Sequence, residues 1–170
     1  MRAVNRHALV LGIYPNARGF AFVLFEGSLS PCDWSVFRPH QRQHLNKYCL
    51  QRFEKLLNRY QPDAVVLQDM SSDGTLRVRR IRRLNETMAS QAETRGAHVT
   101  LYSREQVRAG FATEGLATKQ AIAEAIAKRI PMLERFVPPP RKPWNTEHPR
   151  MGLFDAAALV LTFYQFTIES

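Results

Sequence analysis

The chain opens on two apolar stretches separated by a short polar break. Residues 8–14, "ALVLGIY", and 19–26, "GFAFVLFE", read as paired strands joined by "PNARG". Pro15, Asn16 and Gly19 suit a turn, through a fixed φ, a self-bonding side chain and a free φ respectively. A third strand is expected at 33–37, and Pro39 ends the pattern. Leu45, Cys49, Phe53, Leu56, Leu57 and Tyr60 then recur at helical spacing, which predicts an amphipathic helix over 42–60. The period changes again after Pro62 and Asp63. Ala64 to Leu67 is an unbroken apolar run, as in a central strand covered on both faces.

The second half alternates. Capping residues in "SSDGT" precede a helix carrying Ile81, Leu84, Met88 and Ala92 on one stripe, with Gly96 placed to close it. "AHVTLY" is a further strand. Ser103 and Gln106 have the spacing of a capping box, so a short helix begins at "SREQVRAGF". A helix from Thr118 turns Ile122, Ala125, Ile126 and Ile130 inward. Residues 131–149 are proline-rich and expected to form a loop, of a length that is usually functional or mobile. The final helix, 151–166, is apolar on nearly all sides and should be buried. Three meandering strands followed by strand–helix alternation imply an α/β protein: a mixed sheet with helices on both faces.

Composition bounds the partners. The 170 residues are expected to form a single domain, 1–170, with a sizeable core. The longest apolar run, "GLFDAAALVLTFYQF", falls short of the roughly 20 residues of a spanning helix and is broken by Asp155. The start, "MRAVNRHALVLGIY", lacks the small-residue site of a signal peptide. Two cysteines are too few for a disulfide framework, so a reduced, cytoplasmic setting is expected. The net charge of +9, carried mostly by arginine, favours a polyanion over a merely basic surface, because clustered cations release counterions condensed on phosphates.

Four segments in order then carry a resemblance. "VLGIYPNARGFAFVLFEG" resembles the first motif of the RuvC family of Holliday junction resolvases, G-I-D-P-G and a following glycine. "PDAVVLQDM" resembles its second, an apolar strand ending in glutamate. "YSREQVRAGFATEGLATKQAIAEAIAKRI" resembles Y-x-P-x-x-V-K followed by G-x-G-x-A-x-K-x-x-V. "LFDAAALVLTFY" resembles the last helix, D-A-A-D-A-L-A. The small RuvC-like nucleases of ribosomal RNA processing are less similar in the middle stretch. The resemblance covers nearly the whole chain. It implies a ribonuclease H-like, mixed five-stranded sheet and a homodimer, and it implies cleavage of DNA with two divalent metals held by four acids.

The acids are mostly missing. Tyr14 stands at the first aspartate position, Gln68 at the glutamate position and Gly152 one turn before the last acid; Asp155 alone matches. A phenol with a pKa near 10 is a poor magnesium ligand at neutral pH. A glutamine carbonyl brings no charge. Asp69, Glu147 and His148 are the neighbours available as substitutes, although Asp69 follows Gln68 directly and should face away on a strand. Asp155 is otherwise a buried acid hydrogen-bonded to Tyr14 or Gln68.

The basic residues are in better order. Arg77, Arg79, Arg80, Arg82 and Arg83 place five arginines in seven residues with no acid between them. They read as a phosphate-contact ridge or, by the resemblance, as the helix of a dimer interface. Lys119 matches the family lysine thought to lie near the scissile phosphate, with Arg104 and Arg108 close in sequence. Arg141, Lys142 and Trp144 would combine backbone cations with a stacking surface, or Trp144 would only pack its loop on the core. The expected function is recognition of branched or structured DNA, without catalysis and without a cofactor. The alternatives are an active magnesium-dependent endonuclease with a rearranged site, and a protein-interaction module on the same fold. Neither DNA versus RNA nor a partner protein is specified, and no membrane is expected.

Overall fold

The computed structural model describes residues 8–71, 76–112, 115 and 118–168. The capping residues expected at 72–75 lie outside them. The elements run β1 (Leu9–Asn16), β2 (Gly19–Glu26), β3 (Pro31–Phe37), α1 (Leu45–Tyr60), β4 (Ala64–Gln68), α2 (Leu76–Thr94), β5 (His98–Tyr102), α3 (Arg104–Ala112), α4 (Lys119–Arg129) and α5 (Met151–Ile168). The five strands form one sheet in the order β3-β2-β1-β4-β5. The β1–β2 and β2–β3 pairs are antiparallel, whereas β1–β4 and β4–β5 are parallel. This is the mixed, helix-covered sheet that the strand and helix order implies. No helix among the described residues is long and apolar enough to cross a membrane.

The alternation of side chains along the strands divides the core in two. Leu11, Ile13, Phe20, Phe22, Leu24, Val65 and Leu67 point to the face covered by α1 and α2. Val10, Ala21, Val23, Phe25, Ala64 and Val66 point to the face covered by α4 and α5. Every strand position between Phe20 and Phe25 is buried, so β2 has no wet face and reads as continuously apolar.

The turn between β1 and β2 is tighter than the sequence suggests. Asn16 pairs with Gly19, which leaves Ala17 and Arg18 as the two-residue turn and draws Pro15 and Asn16 into β1. Pro15 fits because of where β4 stops. The N–H and C=O of Leu9 both bond Asp63 on the β4 side, and alternation turns the Pro15 nitrogen to that same side. Pairing with β4 covers only Val10–Gly12, so the missing N–H breaks no ladder bond. The Asn16 carboxamide oxygen accepts from the Arg18 N–H at 2.9 Å and sets the turn.

The predicted capping box is present. The Ser103 Oγ accepts from the Gln106 N–H at 3.1 Å, and the Gln106 Oε1 accepts from the Ser103 N–H at 2.8 Å. Gly96 ends α2 at φ +83°. The proline-rich stretch is not all loop: Pro131–Phe136 forms a 3-10 helix whose Leu133 is buried.

Helix α5 lies unusually close to the sheet. A Cβ on Gly12 would stand 2.6 Å from both the Ala156 carbonyl oxygen and the Val160 Cγ2. Gly12→Ala therefore forces α5 away from β1, an overpacking cost of about 1–3 kcal/mol. Urea denaturation should show the lower midpoint with an unchanged m-value.

Candidate functional site

The close approach of α5 sets the depth of its one acidic residue. Asp155 faces the ends of β1 and β4, where the alternation of each strand turns Tyr14 and Gln68 to the same side. Gln68 is fixed by a residue that sequence reasoning missed. Buried Asn85 on α2 donates from Nδ2 to the Gln68 carbonyl at 2.8 Å. Helix α4 closes the other side. Thr118 caps it, accepting from the Ala121 N–H at 3.1 Å, so Lys119 occupies the first helical position. A cation there opposes the helix dipole. Its side chain finds compensation elsewhere.

The Lys119 ammonium stands among three oxygens: Glu147 Oε1 at 3.0 Å, Asp155 Oδ2 at 3.3 Å and Tyr14 Oη at 3.5 Å. It also lies 5.3 Å from the centre of the Tyr14 ring. Asp155 is therefore bonded by the lysine, where the sequence pointed to Tyr14 or Gln68 as partner. Burial pushes the Asp155 carboxyl up to about 6, against the opposing pull of Lys119. Burial alone would lower the Lys119 pKa, but Asp155 first, then Tyr14 and Glu147, reverse this and raise it. Burial, followed by the Asp155 charge, raises the Tyr14 hydroxyl. At neutral pH Lys119 is thus an ammonium, Asp155 mostly a carboxylate and Tyr14 a neutral phenol.

Around the cluster is a pocket of about 300 Å³. Met70, Val78, Ile81 and Val107 form an apolar wall, and Arg104 and Arg108 lie on its rim. Ile81 was expected in the helical core stripe; it is half-buried and lines the pocket instead. Leu84, Met88 and Ala92 do occupy the core. Gly152 does not line the pocket. A Cβ there would meet the Ala21 Cβ at 3.0 Å and Asn16 Nδ2 at 3.6 Å, so the position faces β2 and the turn.

Two of the substitute ligands are elsewhere. Asp69 is exposed beyond the end of β4 and accepts from the Ser71 N–H at 3.0 Å, which lowers its pKa. His148 accepts at Nδ1 from the Arg150 N–H at 3.1 Å, at the start of α5. Of the three candidates, Glu147 alone reaches the cluster, and it arrives bound to Lys119. Among the described residues there is no group of three or more His, Cys, Asp or Glu side chains able to hold a metal ion. A divalent cation needs several oxygen ligands, at about 2.0–2.6 Å. Among the described residues an ammonium stands between the two carboxylates of the cluster, so the donor set there does not fit a two-metal centre.

The proposed nucleic-acid contacts separate into groups. Arg79 and Arg83 are exposed on α2 and Arg82 is half-buried. The Arg77 side chain lies outside the described residues. Arg80 points inward, donating to Asn46 Oδ1 at 2.6 Å and to the Asn16 carbonyl at 2.9 Å; it braces the β1–β2 turn. Trp144 is 78% exposed and does not pack its loop on the core. Lys142 Nζ lies 5.5 Å from its ring centre, and Arg141 is exposed nearby.

Taken together, the strand order and the position of α5 define the ribonuclease H-like fold in its RuvC form. Three solved structures with this arrangement are of Holliday junction resolvases. One is Thermus thermophilus RuvC in complex with a Holliday junction substrate, at a TM-score of 0.71 and 20% identity, covering 96% of this chain and 97% of that one. A second T. thermophilus RuvC structure matches at 0.66 and 21% identity, over 95% and 96% of the two chains. The yeast mitochondrial Holliday junction resolvase matches at 0.66 and 15% identity, over 99% of this chain and 84% of its own. No family model matches the sequence, and no curated protein does.

The raised Asp155 pKa has a defined sign. Between about pH 4 and 6 the folded protein holds a proton that the unfolded chain has released, so this group's contribution is greatest below pH 4. Stability falls as pH rises through about 6, by on the order of 3 kcal/mol. Asp155→Asn should flatten that part of a urea-midpoint profile. Lys119→Met should move the Asp155 midpoint above about 6, measured by carboxyl carbon NMR. It should also cost about 2 kcal/mol, less than a fully buried pair because the lysine is partly exposed. The double variant should lose less than the sum of the two single changes.

Proposed function

We propose that this protein binds structured nucleic acid, branched DNA in particular, and does not cleave it by the two-metal route. The carrying observation is the Lys119 ammonium between Asp155 and Glu147. A lysine in that place supplies the positive charge that the remaining carboxylates require. It cannot activate water or stabilise a leaving oxygen as paired metals do. Tyr14 and Gln68 remove the remaining anionic ligands from the ends of β1 and β4.

Binding is a separate matter from cleavage. The net charge of +9 remains, and the pocket rim retains Arg104 and Arg108. Arg79 and Arg83 offer cations on α2, and the 138–149 loop presents Arg141, Lys142 and exposed Trp144. Cations with an accessible aromatic suit a phosphate backbone carrying unpaired bases. One of the solved structures with this fold holds a Holliday junction, which is why a branched substrate is the first to try. The reading includes a homodimer acting in the cytoplasm.

The second reading, a rearranged nuclease, draws on Glu147, which does approach Asp155 through their shared lysine. One assay separates the two. Purified protein is incubated with four-way junction, flap and single-stranded DNA and RNA in magnesium or manganese. Salt-sensitive binding without product is expected, with affinity falling when Arg79 and Arg83 are replaced by glutamine. Metal-dependent product that Asp155→Ala abolishes would falsify the non-cleaving reading. Absence of salt-dependent binding to every probe would leave the interaction-module reading.

A further inference from the structure

A second basic cavity lies on the far side of the β1–β2 turn. It has a volume of about 820 Å³ and is bounded by Arg18 in the turn, by Arg38, His40 and Arg42 after β3, and by Arg80 from α2. Among the described residues lining it there is no carboxylate. The first turn of α1, which begins at its edge, also carries no acid. Four arginines line one volume, and like charges so gathered repel each other, at a cost that a bound polyanion relieves.

The cavity has a rigid floor and an adjustable rim. Arg80 is held by Asn46 and by the Asn16 carbonyl, and burial lowers its pKa. Arg18 and Arg42 line the same cavity and are exposed, and Arg38 lines it half-buried. The His148 pKa is lowered by burial first, then by Arg150 and by Arg38. Ala17 lines both this cavity and the Lys119 pocket. The two are therefore neighbours across one tight turn.

We propose that this arginine-lined cavity is a phosphate-binding site that seats the backbone of a nucleic-acid strand passing over the β1–β2 turn from the Lys119 pocket. The proposal rests on the nucleic-acid reading above. It assigns Arg18, Arg38 and Arg42 as phosphate contacts, none of which the arginine run on α2 would suggest. Guanidinium groups suit the task because their donors match phosphate oxygens in pairs. The contact carries no base readout, so it should add affinity without sequence preference.

The test measures binding of a fluorescent four-way junction as a function of salt for three proteins. These are the wild type, the Arg18→Gln/Arg38→Gln/Arg42→Gln variant, and the corresponding triple lysine variant. Arg80 is left intact because it braces the turn. The glutamine variant should bind roughly ten- to a hundredfold more weakly, and its slope of log affinity against log salt should shrink by about 2–3. The lysine variant should keep the wild-type slope, since it keeps the charges. Wild type that binds no junction overturns both this proposal and the function it rests on. Wild-type binding with an unaltered glutamine variant overturns this proposal alone. Equal weakening of both variants at constant slope marks a structural effect and also overturns it.

Discussion

Helix α5 can lie against β1 only because residue 12 has no side chain. That contact, with the Ala156 carbonyl and Val160 where a Cβ would be, determines how deep the helix sits. Depth in turn determines the chemistry of Asp155. A carboxylate on a helix one side-chain layer further out would be solvated and of ordinary acidity. Here it is buried against the ends of the central strands, and its charge must be met within the protein. The response is Lys119, delivered from the first turn of α4 despite the unfavourable helix dipole at that position.

The cluster illustrates how a charge-dense site changes without collapsing. With Tyr14 and Gln68 at the ends of β1 and β4, Asp155 is the one acid that α5 brings to this pocket. An unpaired buried charge is far more costly than a pair, so a monovalent cation on a side chain is a physical solution. Glu147 completes the arrangement from the loop before α5, and the Tyr14 ring supports the ammonium from below. The result is a concave pocket with an arginine rim, at whose centre one lysine is bonded to both carboxylates.

Much of this was legible in the chain. The continuous apolar run of "GFAFVLFE", the helical stripe from Leu45 to Tyr60 and the Ser103–Gln106 box each encode their structure locally, through sterics or short-range hydrogen bonds. The placement of Tyr14 and Gln68 near the ends of β1 and β4 was identifiable because those same patterns fix the strands. Other features were not legible. Nothing local marks Asn85 as the group that holds the Gln68 carbonyl, or Arg80 as a brace within an exposed-looking arginine run. Pro15 resembled a turn residue because the point at which β4 stops pairing is a property of another segment.

The sequence by itself determined the elements, their order and the non-acidic residues Tyr14 and Gln68 at the strand ends, because each depends on spacing within a few turns or strands. Tertiary structure decided which charges meet. Lys119 lies 36 residues from Asp155 and 28 from Glu147, and Arg18, Arg38 and Arg80 come from three separate segments. Electrostatic pairing acts over a few ångströms in space, whatever the separation along the chain. Only the folded arrangement, set by the tight approach of α5, could show that a lysine stands among the carboxylates and that arginines gather across the turn.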